Sequence, residues 1–412
     1  MSVLWLGLFA VPPVADTLVR AAMASLAHRF KTATGRPGGE LRWLVLIPSH
    51  SEGEAVGPTL RSVIAATRAA SVRTVVVLDG PDPHSQTVCD LLGVETLTKK
   101  PAGPTKGDVL GWVAKHLSSE LAEVDAVMLL DVGSSVVPDF FASIMWPEGV
   151  AGVQAILAGN GEGAGAAAAY SEHSSQQWDD RGRETLGWAV RLRGTGTALT
   201  PEAFFQIAQR LRTRVEDHEA TLLLASAGKR IVLGPPEAVV RDEKPAGVRA
   251  AARQRARWLA GRYAILLRQP GALFRLIRRR PMEGIAFLIE IMSRPFSLTA
   301  ILRVAIAGVL MAAAWQTGNL DAAVVAAVVL ASIAADAALV FRGGGVPWRG
   351  IVRLALAWIG ALPLLPHAIF HWLGARQWRG QAPEPPAPAA PSSVSGHPPA
   401  ATPKVDGPTP DE

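Results

Sequence analysis

The stretch WLVLIPSHSEGE, residues 43–54, places a run of apolar side chains directly before a polar loop that carries Glu52. Two later stretches have the same form, since TVVVL at 74–78 ends beside Asp79 and AVMLL at 126–130 ends beside Asp131. Short continuous apolar runs are typical of parallel strands that are buried on both faces. The three stretches therefore predict three buried strands, each followed by an acidic residue.

Helical patterns at 56–69 and 107–121 separate these strands. Alternating strands and helices predict an α/β domain with a doubly wound, mostly parallel sheet, which we place at residues 41–268. Open α/β sheets bind ligands at the carboxyl ends of their strands, so Asp79 and Asp131 are expected to face one crevice with Glu52 beside them. The alternative is that each aspartate only caps the turn or helix that follows it.

The composition indicates a soluble domain joined to a few membrane helices. Of the 412 residues, 49% are hydrophobic and 18% are charged, which is too apolar for a wholly soluble protein and too polar for a pure transporter. We predict transmembrane helices at both ends of the chain, an anchor at 1–28 that Asp16 and Arg20 interrupt, and further spans within 298–372. Cys89 is the single cysteine, which excludes an intramolecular disulfide and a cysteine-based zinc site.

The regions around the membrane helices have their own signatures. Residues 269–297 mix arginines with apolar side chains and predict an interfacial amphipathic segment. Basic residues follow the first apolar stretch and lie at 342–349, whereas 316–319 has none, which places the α/β domain on the cytoplasmic side of the inner membrane. The Gly/Ala-rich stretch 158–169 is interpreted as a flexible loop, the Pro/Ala-rich tail 380–412 as disordered, and His367 with His371 as residues at a membrane helix end.

The stretch RQRARWLAGR, residues 253–262, belongs to a segment dense in arginines and predicts a helix over 247–268. Gln254, Arg257 and Trp258 are spaced so that one helical face carries all three. An arginine can hold a diphosphate with two hydrogen bonds, and an indole offers a stacking surface. The alternative is a surface helix whose arginines reach lipid phosphates. Anionic partners are expected here, and nucleic acid is the least favoured of them because no aromatic-interleaved RNA motif is present.

The stretch VEDHEA, residues 215–220, brings Glu216 and Asp217 together. Acidic residues in the first turn of a helix can simply complement its dipole. They can also supply a general base, a carboxylate that removes a proton from an attacking hydroxyl. No G-x-G-x-x-G motif follows a strand and no G-x-x-x-x-G-K-[ST] motif exists, which argues against a nicotinamide dehydrogenase and a P-loop nucleotidase.

Taken in order, these segments resemble the membrane-associated family 2 glycosyltransferases of the GT-A fold, a group that includes cellulose, hyaluronan and poly-N-acetylglucosamine synthases and non-processive relatives. The resemblance covers roughly 41–268 and rests on LVLIPSHSEGE, VVVLDGPD, PTKGDVLGW, LLDVGSSVVPDFF, LRGTGTALTPEAF, RVEDHEATLLLASAGKRIVL and QRARW. It implies a catalytic base at Asp217. The residues that it implies for binding divide between the nucleotide sugar and the acceptor: Glu52, Asp79, Lys106, Asp131, Gly194, Gly196, Gln254 and Arg257 for the former, and Glu216 and Trp258 for the latter.

The resemblance also implies a reaction and a cofactor. The reaction is inverting transfer of a sugar from a nucleotide-diphosphate donor, a UDP-sugar foremost, to a lipid or glycan hydroxyl, and the stretch 184–196 is closer to the non-processive branch. The cofactor is Mg²⁺ or Mn²⁺ on Asp131, but the metal-binding D-x-D motif reads Asp131-Val132-Gly133 here and lacks its second carboxylate. An alternative therefore stays open, a catalytically impaired homologue that acts as a binding partner in a polysaccharide assembly complex.

Overall fold

The computed structural model describes residues 3–67, 70–160, 164–244, 247–293, 296–340 and 348–364. The pair His367 and His371 and the predicted disordered tail lie outside these residues. The strands, in chain order, are β1 (Arg36–Pro37), β2 (Arg42–Ser49), β3 (Ser71–Asp79), β4 (Glu95–Lys99), β5 (Ala126–Leu129), β6 (Ser134–Val136), β7 (Met145–Trp146), β8 (Val150–Gln154), β9 (Ile156–Asn160), β10 (Thr197–Leu199), β11 (Arg230–Leu233) and β12 (Val239–Glu243).

The helices alternate with the strands in the first part of the chain and follow one another in the last part. They are α1 (Val3–Leu26), α2 (Val56–Ala66), α3 (Pro83–Leu92), α4 (Lys106–His116), α5 (Phe140–Ser143), α6 (Ala164–Ser175), α7 (Arg181–Thr185), α8 (Pro201–Ala208), α9 (Glu216–Ser226), α10 (Val248–Arg268), α11 (Pro270–Arg279), α12 (Pro281–Ser293), α13 (Phe296–Thr317), α14 (Leu320–Val340) and α15 (Trp348–Ala361).

Within the described residues, seven strands form the main sheet in the order β11-β8-β10-β5-β2-β3-β4. The central strand β2 runs parallel to both β3 and β5, and β3 runs parallel to β4. Strand β10 is antiparallel to both of its neighbours. The predicted doubly wound, mostly parallel α/β sheet is therefore confirmed, and the ends of β2, β3 and β5 lie at one edge.

Side chains of the central strands alternate between two hydrophobic layers, as a pleated strand requires. Leu44 and Leu46 of β2 face a cluster shared with α4, α8 and α9, whereas Val45 and Ile47 face a cluster shared with α2, α3 and α5. All four side chains are fully buried. This double burial explains why the apolar runs are continuous in sequence, and it fixes the strand ends that carry the polar residues.

A buried polar cluster joins α1 to the C-terminal helices. The Asp336 carboxylate of α14 accepts hydrogen bonds from Arg20 of α1 at 3.0 Å and from Arg303 of α13 at 2.7 Å. The hydroxyl of Thr17 donates to the same carboxylate at 3.0 Å. Because buried charges are stable only when paired, these contacts hold three helices together.

The expectation of membrane helices at both ends needs correction. Among the described residues, two helical segments are long and apolar enough to span a bilayer, Thr299–Thr317 and Leu320–Leu339, and both lie toward the C-terminus. In helix α1, Asp16 and Arg20 are buried, and Arg20 pairs with Asp336 of α14. The third predicted span begins as α15, whose described apolar part at Ala355–Leu364 is shorter than a bilayer requires.

A further expectation differs from the structure. The stretch 158–169 is not one loop, since residues up to Asn160 belong to β9 and residues from Ala164 belong to α6. Alanine has the highest helix propensity, which outweighs the interspersed glycines. The interfacial segment predicted at 269–297 consists largely of two helices, α11 and α12, which begin at Pro270 and Pro281, because proline suits the first turn of a helix and interrupts its interior.

Candidate functional site

Three acidic side chains converge on Gly194, in the loop before β10. A Cβ atom added to Gly194 would lie 3.8 Å from the Oδ2 atoms of Asp131 and Asp217 and from Oε1 of Glu216. Gly194 has φ +79°, which disfavours any other residue. Asp131 arrives from the end of β5, and the other two carboxylates begin α9. The fold thus assembles three predicted site residues around a fourth.

Lys106 supplies the positive charge among these carboxylates. It is the first residue of α4, where the side chain of Thr105 caps the helix by accepting a hydrogen bond from the Asp108 backbone. Its ammonium donates to Asp131, lies 3.1 Å from Oε1 of Glu216, and donates to the Gly194 carbonyl at 3.1 Å. Burial alone would lower the pKa of Lys106, but Asp131 and Glu216 raise it well above its usual range. The lysine is therefore charged at any physiological pH.

Asp217 is held as a carboxylate. Burial alone would raise its pKa, yet the neighbouring His218 lowers the pKa of Asp217 to about 2 through its charge and its hydrogen bonds. The His218 backbone donates to Oδ1 at 2.8 Å, and the His218 imidazole Nδ1 lies 3.3 Å from the same oxygen. The second oxygen, Oδ2, faces Gly194. One oxygen is therefore anchored while the other faces the site and can accept a proton.

Asp79 lies at the same edge of the sheet but is engaged within the protein. Its Oδ1 accepts a hydrogen bond from the Gly103 backbone at 2.6 Å, and its Oδ2 lies 3.1 Å from Nδ1 of His50. The Asp79 side chain is 0% exposed, whereas that of His50 is 16% exposed. His50, which the sequence analysis did not single out, is therefore partly exposed at this edge of the sheet. The buried carboxylate of Asp79 contacts its imidazole.

Glu52 follows β2 and is electrostatically coupled to the site. Burial raises the pKa of Glu52 to about 7, and the negative charges of Asp131 and Asp82 add to the effect. Asp82 caps the neighbouring helix α3 and accepts a hydrogen bond from the Gly53 backbone at 3.1 Å. Glu52 therefore changes its charge near neutral pH, beside Asp131.

Thr195 and Gly196 shape the loop that carries Gly194. The Thr195 hydroxyl accepts a hydrogen bond from the Asp131 backbone at 3.1 Å and fixes the end of β5. Gly196, at φ +64°, packs so closely on Val240 that an added Cβ would lie 2.8 Å from its Cγ2. Gly196 thus contributes by close backbone packing, and the structure does not place it beside the three carboxylates.

Buried ion pairs hold the residues just before this loop. Arg191 contacts Glu290 of α12 at 2.8 Å and Asp179 at 3.4 Å. Arg193 pairs with Asp180 and lies 3.6 Å from Glu172 of α6. Such supporting contacts hold a functional loop in a single geometry. The sequence analysis did not predict these buried ion pairs.

Helix α10 packs against the segment that precedes Asp217. An added Cβ at Gly261 would lie 2.7 Å from the side chain of Val215. Burial lowers the pKa of Arg214, and the positive charge of Arg257 lowers it further. On the predicted helical face, Arg257 and Gln254 are partly buried, and Trp258 packs against the hydrophobic core.

The residues near Asp131 do not fit a two-carboxylate metal site. Gly133 has φ +89°, and among the described residues an added Cβ there would meet nothing within 4 Å, so none of their side chains fills the position of the missing carboxylate. In the part of the chain that the structure describes, no three His, Cys, Asp or Glu residues are grouped to hold a metal ion. The carboxylate of Asp131 is instead paired with Lys106.

Comparison with solved structures identifies the fold. The mannosyltransferase PcManGT from Pyrobaculum calidifontis, solved in complex with GDP-Man and Mn²⁺, matches with a TM-score of 0.56 over 88% of this chain and 99% of that chain, at 17% identity. The chain has a glycosyltransferase fold. This glycosyltransferase fold accounts for the mostly parallel sheet. No protein-family model and no curated protein sequence matches the chain.

A second solved structure with a glycosyltransferase name is more distant. Glucosyl-3-phosphoglycerate synthase from Mycobacterium tuberculosis, in complex with Mn²⁺, UDP and phosphoglyceric acid, is 16% identical and covers 58% of this chain and 86% of that chain. Its TM-score of 0.37 is too low to support a statement about this chain.

Proposed function

We propose that the chain is an inverting glycosyltransferase that moves a sugar from a nucleotide-diphosphate donor to a hydroxyl group of a lipid or polysaccharide. The observation that carries this proposal is the convergence of Asp131, Glu216, Asp217 and Lys106 around Gly194, within a glycosyltransferase fold. Three carboxylates and one ammonium group at the edge of an open sheet suit a polar ligand that carries phosphate and hydroxyl groups.

The donor is proposed to lie along the edge formed by β2, β3 and β5. The nucleobase contacts His50, whose imidazole the buried Asp79 carboxylate holds, near Glu52, and the diphosphate lies toward Lys106 and Arg257. Arginine and lysine are the side chains that bind phosphate oxygens best. A UDP-sugar is our first choice from the resemblance, and GDP-sugars belong beside it because the similar mannosyltransferase was solved with GDP-Man.

The chemistry follows from the position of Asp217. Its carboxylate accepts the proton of the acceptor hydroxyl as that oxygen attacks the anomeric carbon. The bond from this carbon to the diphosphate oxygen breaks, and the nucleoside diphosphate leaves with the electron pair. Attack from the face opposite the leaving group inverts the anomeric carbon in one displacement. Trp258 and Glu216 are proposed to contact the acceptor.

The cofactor implied by the resemblance, Mg²⁺ or Mn²⁺ at Asp131, has limited support from these residues. The similar mannosyltransferase was solved with Mn²⁺. In this chain the second ligand position is Gly133, and Asp131 is paired with Lys106. The proposed mechanism therefore passes no step through a metal ion.

We also propose that the chain is attached to the cytoplasmic face of the inner membrane. Helices α13 and α14 expose apolar side chains such as Val304, Val309 and Val324, each of which is more than half exposed. Helices α11 and α12 expose Phe274 and Met282 beside arginines, a pattern that suits an interface with anionic lipid. Membership in the membrane-associated, non-processive branch of family 2 is part of the same proposal.

The competing hypothesis is a binding partner without turnover, motivated by Gly133. The test is to incubate the purified full-length protein in detergent with a panel of UDP- and GDP-sugars and extracted membrane lipid, and to measure both donor binding and nucleoside diphosphate release. Binding with release supports the transferase. Binding of a donor without release, across the whole panel, supports the partner hypothesis, and absence of binding contradicts both.

A further inference from the structure

Two features of the site bear on metal binding: Gly133 has no side chain, and Lys106 is paired with Asp131. A metal-dependent site of this kind needs carboxylates that are free to coordinate an ion. Here the Asp131 carboxylate is paired with the Lys106 ammonium, and Gly133 contributes no side chain. The same ammonium lies 3.1 Å from Glu216 and 3.1 Å from the Gly194 carbonyl oxygen. A fixed cation thus lies in the middle of the carboxylate cluster.

The local structure also holds Lys106 among these carboxylates. As the first residue of α4 it has a rigid backbone, and its side chain is only 10% exposed. Its ammonium group contacts three partners, the carboxylates of Asp131 and Glu216 and the carbonyl oxygen of Gly194.

We infer that the Lys106 ammonium supplies the positive charge that a divalent ion provides in metal-dependent glycosyltransferases, so that this chain binds its nucleotide donor without metal. The inference rests on the proposed function. In the transfer step, the acceptor oxygen bonds to the anomeric carbon and its proton passes to Asp217. The carbon–oxygen bond to the diphosphate breaks, and its electron pair stays on the β-phosphate oxygen. From its position among the carboxylates, the Lys106 ammonium offsets the charge that develops on that oxygen.

The test measures binding of UDP and GDP to the purified full-length protein by calorimetry, once in excess EDTA and once with Mn²⁺. We expect the dissociation constants of the better ligand to agree within about twofold between the two conditions. Lys106→Met should weaken binding in EDTA by about 10-fold or more, because charge-assisted hydrogen bonds to phosphate are lost. Lys115→Met is the matched control, since Lys115 is an exposed lysine near the other end of α4.

A pair of variants at Gly133 tests the effect of the missing carboxylate. Gly133→Asp restores the missing carboxylate in open space, and Gly133→Asn has the same size and backbone strain without the charge. We expect Mn²⁺ to tighten UDP binding by Gly133→Asp by about 10-fold and to leave Gly133→Asn unchanged. Circular dichroism of every variant confirms that it is folded.

The outcomes separate the inference from the proposed function. Wild-type protein that binds nucleotide about 10-fold or more tightly with Mn²⁺ than in EDTA overturns the inference and leaves the proposed glycosyltransferase in place. Folded Lys106→Met that binds as tightly as wild type in EDTA also overturns it. If neither nucleotide binds in either condition, both the inference and the proposed function fail.

Discussion

The Nζ of Lys106 lies 3.1 Å from Oε1 of Glu216, so the first residue of α4 is tied to the first residue of α9. The pair is largely buried, and burial raises the pKa of Glu216, an effect that the charge of Lys106 partly offsets. Because Asp217 is the next residue in the chain, this ion pair helps to fix where the proposed base lies. The Gly194 carbonyl completes the contact.

Gly194→Ala should reduce sugar transfer strongly. The backbone at φ +79° costs an alanine about 1–2 kcal/mol, and the new methyl group would project toward Asp131 and Asp217 where the donor sugar is proposed to lie. We expect a loss of about 100-fold in transfer rate, the size expected when reacting groups are displaced by about 1 Å. The measurement is the rate at saturating donor.

Gly187→Ala is the control for this substitution. Gly187 has a similar φ of +70°, and an added Cβ there meets nothing within 4 Å. Both variants should therefore lose similar thermal stability, and only Gly194→Ala should lose transfer. Equal transfer rates in the two variants would show that the carboxylate cluster is not the site of reaction.

Donor binding should depend on pH through Glu52. Its folded-state pKa is raised to about 7, so it gains a negative charge beside Asp131 as the pH rises through neutrality. A UDP-sugar keeps its diphosphate charge in this range, and its dissociation constant should rise several-fold from about pH 6 to about pH 8. In Glu52→Gln the constant should stay flat, whereas Glu54→Gln, at an exposed neighbour, should behave as wild type.

The same residue has a predicted effect on stability. A glutamate whose folded pKa lies above its unfolded value favours the folded state below the unfolded pKa and loses that contribution as the pH rises to the folded pKa. Glu52→Gln should therefore flatten the fall in unfolding free energy between about pH 4.5 and 7. A steeper fall in the variant than in wild type would contradict the assignment.

Asp79→Asn should weaken donor binding more than transfer. The amide replaces one of the two oxygens that hold His50 and the Gly103 backbone, so one buried contact is lost. We expect a loss of about 1–3 kcal/mol in unfolding free energy and a higher dissociation constant for UDP-sugars, with little change in rate at saturation. The control is Asp139→Asn, at an exposed aspartate. A normal dissociation constant together with a lower saturated rate would place Asp79 in the reaction instead.

Asp336→Asn should destabilise the helices at the C-terminal end. The substitution removes the carboxylate charge that Arg20 and Arg303 share, although Arg20 keeps Asp179 at 3.4 Å, and breaking a buried ion pair costs about 3–5 kcal/mol. Thermal unfolding in detergent should report the loss. Asp321→Asn, at the exposed start of the same helix, should leave the unfolding temperature unchanged. Identical unfolding of the two variants would show that the polar cluster does not hold α1 to α13 and α14.

Much of the fold could be predicted because its central strands are buried on both faces. Continuous runs such as residues 74–78 are distinctive for that reason, and the acidic residues that follow them had to lie at one edge of a parallel sheet. Asp131 and Asp217 both face Gly194. Asp79 lies at the same edge, but its carboxylate is used inside the protein.

The remaining features depend on contacts between distant parts of the chain. Nothing local marks the imidazole of His50 as the partner of Asp79, or Lys106 as the partner of Glu216, because each pair forms only when separate elements pack. The charges of α1 looked like interruptions of a membrane anchor, whereas Arg20 pairs with Asp336 far along the chain. A hydrophobicity pattern carries no information about such pairings.

The central claim is that Asp217 acts as the base in sugar transfer, and Asp217→Asn tests it most directly. With the donor that wild type uses, this isosteric variant should bind the nucleotide sugar within about threefold of wild type while its single-turnover transfer rate falls by about 100- to 10,000-fold. Asp139→Asn should keep both values. If Asp217→Asn binds the donor and transfers sugar at the wild-type rate, the account is contradicted.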